Sequence, residues 1–175
     1  MTVVGFTGHQ NITYLAKRAI ARAIAGELAA QADASMAGVS SLAAGSDQIF
    51  AFCVLAAGGR LTFIQPSEGY RDTFRGTDLL RYDSLLPLVS TVEVLSFDEP
   101  SENAYYAAGQ CVADMCDLLL AVWDGKAAGG LGGTADIVAE ARAKGKAVTV
   151  IWPDGAAREQ PPTPLPRSCR SREIC

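Results

Sequence analysis

The sequence predicts an α/β protein: a doubly wound, mostly parallel, Rossmann-like sheet of about six strands with helices on both faces. Three observations predict it. Short apolar runs alternate with longer stretches of helical periodicity, the pattern of repeated βα units. The run Asp117–Trp123 (DLLLAVW) is apolar on both faces, as a central parallel strand must be. Five glycines (Gly125, Gly129, Gly130, Gly132 and Gly133) then crowd into nine residues before the next helical stretch, where such a sheet carries its ligand loops. Right-handed crossovers turn this order into a sheet covered on both sides.

The elements follow in order. Thr2–Phe6 (TVVGF) is a first strand ending at Thr7-Gly8-His9-Gln10. Asn11 or Thr13 caps a helix running to about Ala32, with Leu15, Ala19, Ile20, Ala23, Ile24 and Leu28 expected on one face. Ser35–Ser40 is a short second strand, followed by SLAAGSD and a helix from about Ser46 to Ala57. Gly58-Gly59 ends that helix, and Arg60–Gln65 (RLTFIQ) is the third strand. After a loop at Pro66–Gly69, the stretch Tyr70–Pro87 reads as partly helical, weakened by Gly76. Thr91–Leu95 is a fourth strand, Ser101 or Asn103 opens a helix to about Met115, and Asp117–Trp123 is the fifth strand. Thr134–Lys144 is helix and Ala147–Trp152 (AVTVIW) is the sixth strand. Residues 1–153 therefore form one domain. Residues 154–175, with Pro161, Pro162, Pro164, Pro166, Arg167, Arg170 and Arg172, read as an extended or disordered tail.

Composition narrows the function. The chain has 175 residues, 49% hydrophobic and 19% charged, with a net charge of −4, which argues against a duplex nucleic-acid binder. A local basic pocket for a small anion remains compatible with that balance. Five cysteines (Cys53, Cys111, Cys116, Cys169 and Cys175) form no disulfide framework. No signal segment and no membrane span is visible, so the expected compartment is the cytoplasm, with free thiols and no membrane partner. A single histidine excludes a histidine-cluster metal site, and no metal or cofactor is expected.

Ligands of an open parallel sheet bind outside the carboxyl ends of its strands. The loops after strands one, two and five carry GHQ, SLAAGSD and WDGKAAGGLGGT, and all emerge at one edge. Candidate ligand-binding residues are therefore Gly8, His9, Gln10, Ser41, Gly45, Ser46, Asp47, Asp124, Gly125, Gly129, Gly130, Gly132, Gly133 and Thr134. Bare backbone N–H groups of the glycine loop, with the Thr134 hydroxyl and the amino end of the following helix, suit a phosphate. The loop is not a Walker loop, since Lys126 precedes the glycines, and TGHQNI is not a dinucleotide fingerprint. His9 stacks on a base, donates to a phosphate, or packs locally. Asp124 binds a ribose hydroxyl or holds a loop N–H. Asp47 sits where a helix-capping carboxylate belongs. Among Arg71, Arg75 and Arg81, Arg75 is the candidate phosphate partner. Trp123 is a base platform or core, and only one of the neighbours Tyr105 and Tyr106 faces inward.

Three pieces together resemble the SLOG superfamily, the Rossmann-like group that includes the lonely-guy proteins, DprA and nucleotide-sensor domains. They are GFTGHQ at Gly5–Gln10, SLAAGSDQIFA at Ser41–Ala51, and the long stretch from Cys116 to Trp152. The resemblance implies a small nucleotide-type ligand, held by a sensor or binding module, and allows a homodimer. It also raises the alternative of a nucleotide N-glycosidase of the lonely-guy type. Those enzymes carry PGGxGTxxE with a catalytic Glu, and an Arg on the preceding helix. Here the loop reads GGLGGTADI, Ile137 stands three residues after Thr134, and Glu140 lies three residues too late. Asp136, one residue early, is the remaining catalytic candidate, and YYAAGQCVADMCD contains no Arg or Lys. The resemblance thus keeps the phosphate cradle and lacks the catalytic pair.

Overall fold

The computed structural model describes residues 2–31 and 36–159. Six strands, β1 (Val3–Gly8), β2 (Ala37–Ser40), β3 (Arg60–Gln65), β4 (Thr91–Val94), β5 (Leu118–Val122) and β6 (Ala147–Ile151), form one sheet in the order β4-β3-β2-β1-β5-β6. Every neighbouring pair is parallel. The chain starts in the middle, winds outward through β4, then returns to lay β5 beside β1. Helices α1 (Tyr14–Ala30), α2 (Ser46–Ala56) and α3 (Gly76–Leu85) pack on one face, and α4 (Glu102–Met115) and α5 (Thr134–Ala143) on the other. Reversing the winding direction while keeping the crossover hand is what moves the helices across the sheet. The reversal puts a crevice between the carboxyl ends of β1 and β5, where Gly8 is level with Val122.

The apolar pattern explains the packing. Both faces of β5 are used: Leu120 joins the core under α1 and α2, and Leu119 joins the core under α4 and α5. On α1 the buried stripe is Ala16, Ile20, Ile24 and Leu28, a strict four-residue series. Leu15, expected on that face, is 80% exposed because it lies one residue off the stripe. Thr13 rather than Asn11 caps α1, its Oγ1 accepting from Ala16 N at 3.4 Å. Ser101 caps α4 in the same way. The stretch 70–87 resolves into a 3₁₀ turn at Tyr70–Thr73 and then α3, with Gly76 as its first residue, where a glycine does not interrupt the helix.

Residues 154–159 of the expected tail run back over the first loop. Ile12 bridges Arg158 in antiparallel fashion, Thr13 N donates to Ala157 O at 3.0 Å, and Glu159 N donates to Asn11 O at 2.7 Å. The rest of that tail, with Cys169, Cys175 and the proline cluster, lies outside the described residues, as does the expected start of the second strand at Ser35.

Candidate functional site

The loops after β1 and β2 are stitched together before either can serve a ligand. Ser46, the first residue of α2, donates to His9 O through both its backbone N (3.3 Å) and its Oγ (2.8 Å). Gly45 sits at φ 82°, and a Cβ there would collide with the backbone carbonyl of Gln10. Only glycine satisfies both demands. Next to this seam, Ser40 and Ser41 donate to the Asp47 carboxylate at 2.8 and 3.4 Å, and Leu42 N donates to Ser40 Oγ at 3.0 Å. That network holds Leu42 at φ 54°, a costly value for a branched residue. Asp47 is buried, and burial without a cationic partner pushes its carboxyl up to about 7 against the pull of the Ser40, Ser41 and Ala43 hydrogen bonds.

The glycine loop is anchored from its far end. Gly132 N donates to Asp136 Oδ2 at 3.0 Å. Gly132 itself adopts φ 80°, and a Cβ there would lie 2.8 Å from the backbone N of Tyr106 on α4. The loop's last turn is therefore clamped between the first turn of α5 and the flank of α4. Gly130 lies against the Glu102 carboxylate, and nothing crowds Gly129.

Between these walls lies a cleft of about 750 Å³ at the switch point of the sheet. Its lining takes in most of the expected residues: Gly8, His9, Gln10, Ser41 and Asp47 from one side, and Gly129, Gly130, Gly132, Gly133 and Thr134 from the other. Arg75 lines it too, whereas Arg71 and Arg81 are spent on ion pairs with Asp83 (2.7 Å) and Asp78 (3.1 Å). Among the described residues, Arg75 Nη1 donates only to the carbonyls of Asp72 and Phe74. Gly45, Ser46, Asp124 and Gly125 are not among the lining residues. Asp136 faces a shallow groove on the outer side with Tyr106 and Glu140. The catalytic role considered for Asp136 therefore meets a side chain already bonded to the loop and turned from the cleft. Glu140 accepts from Gln110 and pairs with Lys144 at 2.9 Å, and is likewise outside. Trp123 lies off the cleft, with Nε1 donating to Lys126 O at 2.7 Å. Of the two tyrosines, Tyr105 faces inward and packs on Tyr70, while Tyr106 faces α5.

His9 and Asp124, 115 residues apart, meet at 2.9 Å. Asp124 is nearly enclosed, 6% exposed, and it also accepts Lys126 N at 3.2 Å and faces Lys126 Nζ and Arg158 Nη1, each at 3.8 Å. Burial alone would raise its carboxyl; the His9 hydrogen bond, the Lys126 N–H and Arg158 outweigh burial and hold it below the usual carboxylate range. His9 is shifted below the usual histidine range by burial, helped by Arg158 and Lys126 and opposed by Asp124. Arg158, Glu102 and Phe74 are cleft residues that sequence reasoning did not single out. Arg158 fell in the stretch read as a tail, and Glu102 reads as an ordinary first-turn acid of α4. Among the described residues no cluster of His, Cys, Asp and Glu fit for a metal ion is found, and no helix is long and apolar enough to cross a membrane.

No family model and no curated protein sequence matches the chain. Solved structures do match. DNA processing protein A from Streptococcus pneumoniae superposes with a TM-score of 0.62 at 17% identity over 89% of this chain and 52% of that protein. DNA processing protein A from Helicobacter pylori, described for its unique single-stranded DNA binding mode, gives 0.59 at 18% over 90% and 68%. The structural-genomics target TM1055 gives 0.55 at 20% over 85% and 72%. The chain thus has a Rossmann-like fold similar to that of DNA processing protein A and spans about half the length of the pneumococcal protein. The likeness is one of fold. It corrects one expectation: net charge, which argued against a duplex nucleic-acid partner, is no ground for setting nucleic acid aside, because a protein of similar fold is described by its single-stranded DNA binding mode. Net charge counts the whole surface, whereas a strand touches only one groove.

Proposed function

We propose that this chain binds a nucleotide or nucleotide-derived ligand in the switch-point cleft, as a sensor or binding module of the cytoplasm. One observation carries the reading: the glycine loop and the amino end of α5 line the same cleft as Arg75, Lys126 and Arg158. Backbone donors, a helix dipole and mobile cations around one cavity are the means by which proteins hold phosphate. The phosphate rests at Gly129–Thr134, and the wall of Tyr70, Phe74 and Tyr105 offers apolar surface for a base. A binding role is favoured over a lonely-guy-type glycosidase because Asp136 and Glu140 are both engaged outside the cleft. The test is calorimetric titration with nucleoside 5′-phosphates, each mixture then checked by chromatography for free base. Binding of intact nucleotide, weakened about tenfold by Arg75→Ala with an unchanged melting temperature, supports the reading. Released base moves it to a hydrolase, and no binding by any nucleotide refutes it.

A second reading is a single strand of nucleic acid, favoured by the neighbour from Helicobacter pylori and by exposed Arg75 and Lys126 at the rim of the cleft. A short oligodeoxynucleotide that binds more tightly than any mononucleotide, with steep salt dependence, selects it.

A further inference from the structure

His9, a residue of the cleft lining, is paired with Asp124. His9 Nε2 lies 2.9 Å from Asp124 Oδ1 and 3.2 Å from Asp124 N. These two contacts ask for opposite things of Nε2: a proton to give to the carboxylate, or a lone pair to take the N–H. The carboxylate wins. It is ionised, its hydrogen bond is charge-assisted, and a bare nitrogen at that distance would set two lone pairs against each other. Nε2 therefore carries the proton. Lys126 and Arg158 approach Asp124 from the glycine loop and the carboxyl-terminal segment, and together with burial they oppose a second proton on the ring. Nδ1 is then left bare. Among the described residues the only buried side-chain nitrogen or oxygen atoms without a partner are Gln48 Oε1 and Ser67 Oγ. Among the described residues no hydrogen bond to Nδ1 is found, and His9 is one of the residues that line the cleft. The ring is held in place, its edge meeting Trp152 at 5.6 Å with the planes at 89°.

We propose that His9 Nδ1 is a fixed hydrogen-bond acceptor that selects a ligand carrying a sugar hydroxyl next to its phosphate, so that the cleft prefers ribonucleotides to their deoxy counterparts. This rests on the nucleotide reading above. An acceptor there cannot serve a phosphate oxygen, which has no proton to give. It needs a donor, and β1, which delivers His9, is the strand adjacent to β5, which feeds the glycine loop. The sugar is the part of a nucleotide next to its phosphate. A base amino group is the other source of a donor, and the experiment separates the two. Asp124 is a positioning residue here: it fixes the tautomer and touches no ligand.

The experiment is titration of the wild-type chain with the 5′-monophosphates of adenosine, guanosine, cytidine and uridine, their 2′-deoxy and 3′-deoxy counterparts, and inosine monophosphate. The expected result is about a tenfold loss of affinity for one deoxy series across all bases, with inosine and adenosine monophosphates alike. His9→Phe, which keeps a flat ring against Trp152, abolishes the discrimination. His9→Asn, which keeps an acceptor near the Nδ1 position, retains part of it. Equal binding of ribo- and deoxyribonucleotides overturns the inference and leaves the nucleotide reading intact. Discrimination between adenosine and inosine monophosphates alone also overturns it, assigning the donor to the base. Failure of every nucleotide to bind overturns both.

Discussion

Replacing Asp47 by Asn should remove a large pH dependence from the stability of this fold. The folded carboxyl keeps its proton up to about pH 7, whereas an unburied aspartate titrates near 3.8. Between those values the folded state binds more protons than the unfolded one, so stability falls as pH rises from 4 to 7 and is flat above. The sign follows from the raised pKa: the contribution is fully present below the unfolded value and lost through the folded one. A shift of about three units corresponds to roughly 4 kcal/mol at most. Asn preserves the shape, can accept from Ser40, and carries no charge to desolvate. The variant should therefore gain about 2–4 kcal/mol over wild type at pH 8 and little or nothing at pH 4.5. Urea denaturation of both proteins at the two pH values measures it directly, as midpoint shifts at constant slope. Midpoints that differ by the same amount at both pH values would show that Asp47 is ionised throughout. The account of a buried, unpaired carboxylate would then be wrong.

Other expectations can be checked with the same material. Gly132→Ala puts a Cβ at φ 80° and against the backbone of Tyr106, so it should destabilise the fold by about 1–3 kcal/mol and weaken ligand binding, read by urea denaturation and calorimetry together. Glu102→Gln removes the carboxylate that lies against Gly130; affinity for inorganic phosphate should rise about threefold at low salt and less at high salt. Gly133→Val adds side-chain atoms at the amino end of α5, where even a Cβ would lie 2.8 Å from Ala128 Cβ. It should abolish nucleotide binding and, because Ala128 must give way, lower stability by about 1–2 kcal/mol while leaving a cooperative transition; normal binding would remove the glycine loop from the site.

Much of the fold was legible because it is written in local pattern. The run LLLAV reads as a central strand because each face of β5 meets a helix layer, and the βα alternation dictates a parallel sheet. Where the reading slipped, geometry below the level of pattern decided. Leu15 is apolar, yet a rotation of one residue on α1 leaves it in water, and the stripe is completed instead by Ala16. The site was legible as a set of loops, since topology alone brings the ends of β1, β2 and β5 to one edge. The division of labour within those loops was not. Asp136, Asp47 and Asp124 are equally plausible ligand groups in one dimension, and only the folded chain turns the first to Gly132 N, buries the second under two serines and gives the third to His9.

Charge shows why composition is a poor guide to a groove. The whole chain carries −4, yet its acids are unevenly available. Asp83, Asp78 and Glu140 are neutralised by Arg71, Arg81 and Lys144 on the surface, and Asp47 retains its proton to about pH 7. Asp124 is covered by His9, Lys126 and Arg158, so that its negative charge is spent inside the wall. Around the cleft stand Arg75, Lys126, Arg158 and the amino end of α5, set against Glu102 and against Asp124, which draws on Lys126 and Arg158 at 3.8 Å. Cations outnumber ionised carboxylates in that set although the chain as a whole is acidic, and it is the local charge that an anion meets.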